Sequence, residues 1–104
     1  MGGLGALPGG NSTALGVSAS AVISAGPAIL YQVNVTTDGS TAGALYDCAT
    51  VAAATTANLI AAVAIPTTVG AIGFGGGWRC KVGLVYVPGA GQVASIAYTP
   101  YAPL

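Results

Sequence analysis

Charge is what this sequence has least of. Of its 104 residues only Asp38, Asp47, Arg79 and Lys81 carry a formal charge, 4% of the chain, and they sum to zero. Soluble domains usually devote about a quarter of their residues to Asp, Glu, Lys and Arg. Histidine and glutamate are absent altogether. The usual general bases therefore reduce to two aspartates, and the many serines have no imidazole to activate them, so a hydrolytic triad lacks its base. Two cysteines and two aspartates at scattered spacing form no zinc set. Gly73-Phe74-Gly75-Gly76-Gly77 lacks the Lys-Ser or Lys-Thr that completes a phosphate loop. Two basic residues are too few for a phosphate-binding patch, which argues against nucleic acid. These absences predict a protein that is not an enzyme and takes no cofactor or metal.

Long apolar runs are missing too. The least polar stretch, 42–77, is interrupted by Asp47, Asn58 and Pro66, and nothing in it approaches the ~20 consecutive apolar residues of a membrane-spanning helix. The opening MGGLGALPGGNSTALG has no basic residue and no compact apolar core, unlike a secretory signal. Ala6 stands where a myristoylation site has Ser or Thr. The expectation is synthesis in the cytoplasm without export or membrane attachment.

What the chain does have is 54% hydrophobic residues. With so few charges, a lone copy would be sticky and poorly soluble near neutral pH. Abundant Ala, Gly, Ser and Thr soften that surface in part. So few charges on so apolar a chain point to a surface largely covered by other protein.

The length suits one core, and the pattern within it is that of short strands. Tyr31, Val33 and Val35 alternate with Leu30, Gln32 and Asn34, the period of a strand with one face on a core. Thr36-Thr37-Asp38-Gly39-Ser40 reads as a reversal in which Asp-Gly supplies a positive φ, returning the chain as a hairpin through Gly43 to Cys48. Val51 to Thr56 reads as a loop or single helical turn. A strand is expected from Leu59 to Ile65, although Leu59, Ile60 and Val63 also fit helical spacing; Pro66 ends it. Another short strand is expected over Val69 to Phe74, then a flexible corner at Gly75-Gly76-Gly77, with Trp78 plugging the end of the core. Leu84 to Val87 is a continuous apolar strand, closed by Pro88-Gly89-Ala90-Gly91 as a hairpin turn, and Gln92 to Thr99 returns with strand alternation.

The expected fold is therefore all-β, a small antiparallel β-sandwich or jelly-roll-like barrel. Its expected parts are an irregular Gly/Ala/Ser-rich N-terminal arm over 1–27, the sandwich over 28–99 and an extended tail over 100–104. Within the arm, Ala19 to Ser24 has the makings of a short strand through Val22 and Ile23. The arm orders only if something holds it, so it is either a loose tail or an extension across a neighbouring subunit.

Cys48 and Cys80 are candidates for free buried thiols, for an interchain disulfide or for an intrachain one, and spacing leaves all three open. Arg79 and Lys81 flank Cys80, which predicts a lowered thiol pKa and the more reactive thiol of the two. Trp78, Tyr31, Tyr86, Tyr98 and Tyr101 are the candidate core or interface anchors. Trp78, Tyr86, Tyr98 and Tyr101 would also serve as stacking groups if the chain were a carbohydrate-binding module.

Leu30-Tyr31-x-Val33-x-Val35, Leu45-Tyr46-Asp47 followed by Ala49, Leu59-Ile60-Ala61 leading to Ile65-Pro66, Gly83-Leu84-Val85-Tyr86-Val87 and Gly91-Gln92-Val93 follow one another in an order that resembles small virion proteins of tailed bacteriophages. The likeness is to head decoration, or cement, proteins and spans Leu30 to Thr99. Cys48, where that pattern usually has Ala, departs from it, as does Trp78 to Lys81. The resemblance implies a homo-oligomer, often a trimer, bound to the major capsid protein on the outside of an icosahedral shell and stabilising it. A tail, neck or fibre-base adaptor is the other virion role it allows. No catalytic residue comes with the resemblance.

Overall fold

The computed structural model describes residues 12–63 and 70–101. Those residues form eight strands: β1 (Ser12–Val17), β2 (Ala21–Ser24), β3 (Ala28–Thr37), β4 (Gly43–Tyr46), β5 (Leu59–Val63), β6 (Gly70–Cys80), β7 (Leu84–Val87) and β8 (Val93–Pro100). Two single turns of 3-10 helix, Val51–Ala53 and Thr56–Asn58, lie between β4 and β5. The strands form two four-stranded sheets, ordered β1-β8-β3-β6 and β2-β7-β4-β5. Every pairing is antiparallel.

The chain is one long hairpin whose tip lies between β4 and β5. Its successive rungs are β1 with β8, β2 with β7, β3 with β6 and β4 with β5. Rolling that hairpin up brings β3 against β8 and β4 against β7. The result is an eight-stranded jelly roll.

Alternation selects the core. Leu30, Val33 and Val35 of β3, Leu45 of β4, Leu84 and Tyr86 of β7, and Ala94 and Ile96 of β8 are buried between the sheets, joined by Val63 and Cys80. Simple alternation would put Tyr31 on the core face with Val33 and Val35. A bulge prevents this: Leu30 pairs with Tyr98 and Gln32 with Ala97, so Tyr31 is an extra residue and the inward set is Leu30, Val33 and Val35.

Both expected hairpins are absent, and for one reason. β3 and β4 lie in different sheets, as do β7 and β8, so 38–42 and 88–92 are arches across the sandwich rather than reversals within a sheet. The arches are zipped to each other: Ser40 N donates to Ala90 O at 2.8 Å, and Ala90 N to Thr41 Oγ1 at 2.8 Å. Gly39 is not in a positive-φ conformation. It is needed for close approach, since a Cβ there would stand 2.7 Å from the Ala90 carbonyl oxygen. Across the zip, a Cβ at Gly89 would collide with the Thr41 carbonyl. The tight turn at 89–92 does form, with Gln92 N donating to Gly89 O at 3.0 Å and Gly91 at φ 78°.

Buried Gln92 locks this end of the sandwich. Its Oε1 accepts from the Tyr86 hydroxyl and from Gly89 N at 3.2 Å, while Nε2 donates to Val63 O at 3.4 Å. One side chain thus ties β7, its following arch and the end of β5.

The expected corner at Gly75-Gly76-Gly77 is instead a bulge inside a single eleven-residue strand. Leu30 pairs with Trp78 and Gln32 with Gly73, so Phe74 to Gly77 stand opposite Tyr31 alone. Gly75 at φ 59° and Gly77 at φ 110° supply the backbone conformations that this detour requires.

The N-terminal arm is also corrected. Residues 1–11 lie outside those described, but Ser12–Val17 and Ala21–Ser24 are strands of the two sheets, so the sandwich begins well before residue 28. At the other end Pro100 closes β8, and Tyr101 N donates to Pro27 O at 3.0 Å; 102–104 lie outside the described residues. The helical turn after Val51 and the strand from Leu59 are found as expected, the latter as far as Val63. Ile65, Pro66 and Val69 lie outside the described residues.

Candidate functional site

Four strands form the edges of the two sheets: β1 and β6 of one, β2 and β5 of the other. An edge offers unpaired backbone groups, and free-standing proteins blunt it with Lys, Pro or inward charge. Here Arg79 of β6 is the one charged residue on an edge strand among the described residues. Most of the exposed large apolar side chains among the described residues lie on the same strands, Leu15 on β1, Val22 on β2, Leu59 on β5, Ile72 and Trp78 on β6, while Val51 and Val82 lie in the connections. None lies on the central strands β3, β4, β7 or β8. Leu15 is 77% exposed. The rim of the sandwich is therefore apolar and almost uncharged on all four sides.

The two outer faces differ. On the β2-β7-β4-β5 sheet, Val85 is fully buried although it lies opposite the inward-facing Leu84 and Tyr86, because the first 3-10 turn packs over β7. That cover is held by side chains: Thr50 Oγ1 accepts from Ala53 N at 3.3 Å, and Asn58 Nδ2 donates to Ala53 O at 2.9 Å. On the β1-β8-β3-β6 sheet, the outer face is open and carries a trough of about 270 Å³ lined by Thr13, Leu15, Gln32, Asn34, Ser95 and Ala97.

At the end of the sandwich beyond Cys80, the Asp47 carboxylate gathers the loop between β6 and β7. Oδ1 accepts from Val82 N at 2.8 Å and Gly83 N at 3.2 Å, and Oδ2 from Lys81 N at 2.9 Å. Partial burial pushes the Asp47 pKa up, but the three N–H donors and the Lys81 charge outweigh it and leave the carboxyl below its ordinary value.

The sequence candidates are scattered by the fold. Cys48 and Cys80 are both buried free thiols. Cys80 is not the activated thiol that its flanking cations suggested. Neighbours on a strand point to opposite faces, so Arg79 turns outward onto the Tyr101 ring, 5.1 Å from its centroid, while Cys80 turns into the core. Burial, with the Asp47 charge adding to it, pushes the Cys80 thiol up to about 12. Burial likewise raises Cys48.

Trp78 does not plug the core; it is 47% exposed at the β6 edge. Tyr86 is a core residue and Tyr98 packs against the core. Tyr31 is half-buried at the bulge, and the half-buried Tyr101 donates its hydroxyl to Cys80 O at 3.3 Å. Trp78, Tyr86, Tyr98 and Tyr101 therefore do not converge on one stacking platform.

Neither the trough nor the role of Gln92 follows from the sequence pattern. The trough is assembled from three strands distant in the chain, and only its Gln32 and Asn34, two apart on one strand, were legible as outward polar positions. Gln92, next to a turn, had every sequence mark of a solvent-facing residue. Comparison with known proteins found no matching family model, no similar curated protein and no similar solved structure.

Proposed function

We propose that this chain is a structural virion protein of the decoration, or cement, type. It binds the outside of a tailed-bacteriophage capsid through contacts with the major capsid protein and with copies of itself. The observation that carries this reading is the rim: four edge strands with one charge among them, bearing Leu15, Val22, Leu59, Ile72 and Trp78 on the surface. A protein that lives alone pays for such edges in aggregation. A subunit held among copies gains from them, at about 25 cal/mol per Å² of apolar surface removed from water, and repetition over a shell multiplies the gain. The near absence of charge fits the same role, since Arg79, which lies over the Tyr101 ring, is the one charge among the described edge strands that covering must accommodate.

The test is made on particles assembled with and without the chain. Shells that carry it resist heat and chelation that open shells lacking it, and density for the jelly roll lies on the head surface. Shells of equal resistance, or density confined to the tail or neck, overturn the assignment.

A further inference from the structure

We propose that the trough on the outer face of the β1-β8-β3-β6 sheet is a binding site for a neutral saccharide. Register builds the trough. The central strand β8 contributes small side chains, Ser95 and Ala97, as its floor. Thr13 and Leu15 of β1 rise on one side, and Gln32 and Asn34 of β3 on the other. Thr13, Ala97 and Gln32 form one cross-strand row, while Ser95 and Asn34 begin the next. Strands about 4.8 Å apart put the two walls about 10 Å from each other, and same-face residues follow at about 7 Å along each wall. That is the scale of one or two sugar rings.

The chemistry of the lining selects the ligand class. Each carboxamide offers donors and an acceptor, and each hydroxyl offers both. The side chains of Thr13, Gln32 and Asn34 make no hydrogen bond among the described residues, and Ser95 Oγ, which accepts from Gly16 N at 3.2 Å, keeps its own proton to donate. No charged residue lines the trough, so a phosphate or carboxylate ligand would find no counter-charge there. Leu15 and Ala97 provide the apolar patches against which the C–H face of a pyranose packs. An extended peptide would gain its backbone ladder at an edge strand, not on this face. On the opposite sheet the first 3-10 turn packs over β7 instead.

The trough shares Leu15 with the rim, but its floor and its β3 wall, Ser95, Ala97, Gln32 and Asn34, lie on central strands outside the rim, and a free subunit retains the whole trough. The test screens the full chain against neutral oligosaccharides of glucose, galactose, mannose and N-acetylglucosamine, beside sialylated and sulfated ones, and titrates the hits by calorimetry. At least one neutral glycan binds. Q32A/N34A weakens it about tenfold or more with an unchanged melting temperature, because neither side chain has an internal hydrogen bond to lose. A97Y, which fills the floor, abolishes binding, whereas W78A leaves it intact. The proposal is overturned by the lack of any neutral hit at millimolar ligand, by preference for anionic glycans, or by neutral binding that survives both Q32A/N34A and A97Y. It is equally overturned if Q32A/N34A instead changes self-association, which would make the trough a seat for a second copy.

Discussion

At the scale of the residue, the polar side chains that matter are those that hold arches and loops together. Asp47 holds three backbone N–H groups at once, and hydrogen bonds to a charged acceptor contribute roughly 1.5–3 kcal/mol each where well shielded, less where solvent competes. Asp47→Asn should therefore lower stability by about 1–3 kcal/mol in urea unfolding at pH 7. A carboxyl whose folded pKa is depressed contributes stability that is complete above the unfolded value, about 3.9, and is lost as pH falls through the folded value. The gap between wild type and Asp47→Asn should accordingly close in acid; a gap independent of pH would show that the carboxylate charge is not what holds the loop. Gln92 gives a second case. Tyr86→Phe removes one bond and should cost about 1 kcal/mol, whereas Gln92→Leu strands the Tyr86 hydroxyl and the Gly89 N–H and should cost more, about 2–3 kcal/mol. A double-mutant cycle by denaturant titration reads their coupling. The cysteines offer the plainest contrast between sequence and structure: flanking cations suggested an activated Cys80, yet strand alternation turns Arg79 away from the sulfur and burial raises the thiol's pKa. Both thiols should resist an aromatic disulfide reagent in the native protein at pH 8 and react fully in guanidinium; fast native labelling of Cys80 would contradict its burial.

At the scale of the element, strand positions were largely legible and their partners were not. Alternation over Leu30–Val35 and Gln92–Thr99, and the apolar run Leu84–Val87, marked β3, β8 and β7 because period two is written locally. Whether a Gly-rich reversal is a hairpin or an arch is decided by which sheet the next strand joins, and that depends on residues far along the chain. Asp38-Gly39 and Pro88-Gly89-Ala90-Gly91 carried the same signal for either outcome. Gly39 turned out to serve close packing against Ala90, a role that sequence cannot distinguish from positive φ. The run Gly75-Gly76-Gly77 within β6 failed in a related way: a run of glycine signals departure from regular backbone, but a corner and a bulge both satisfy it. The bulge makes a sharp prediction within one tripeptide. Gly77→Ala places a side chain at φ 110° against Ile29 and should destabilise by more than about 1 kcal/mol. Gly76→Ala, with open space around it and no positive φ, should change stability little. Equal effects in denaturant melts would show that the detour is not specified by these glycines.

At the scale of the whole molecule, the first and last strands are neighbours, with Ser12 opposite Tyr98 and Thr13 opposite Ala97. The fold therefore closes only after its whole length is present, and pairings this distant in sequence predict folding in milliseconds to seconds rather than microseconds. Until then the edges are bare, and in this chain they carry a single charge, Arg79, among the described residues even when folding is complete. Composition alone makes that feature legible, in four ionised side chains among 104 residues; the fold adds that the exposed large apolar groups on strands fall at the rim. The most direct measurement is sedimentation velocity of the purified full chain over a range of concentrations at pH 7 and physiological salt. The account predicts reversible association whose extent rises with concentration and falls when Leu15, Leu59 and Trp78 are replaced by Ser. A single monomeric species at every concentration, unchanged by those substitutions, would contradict it.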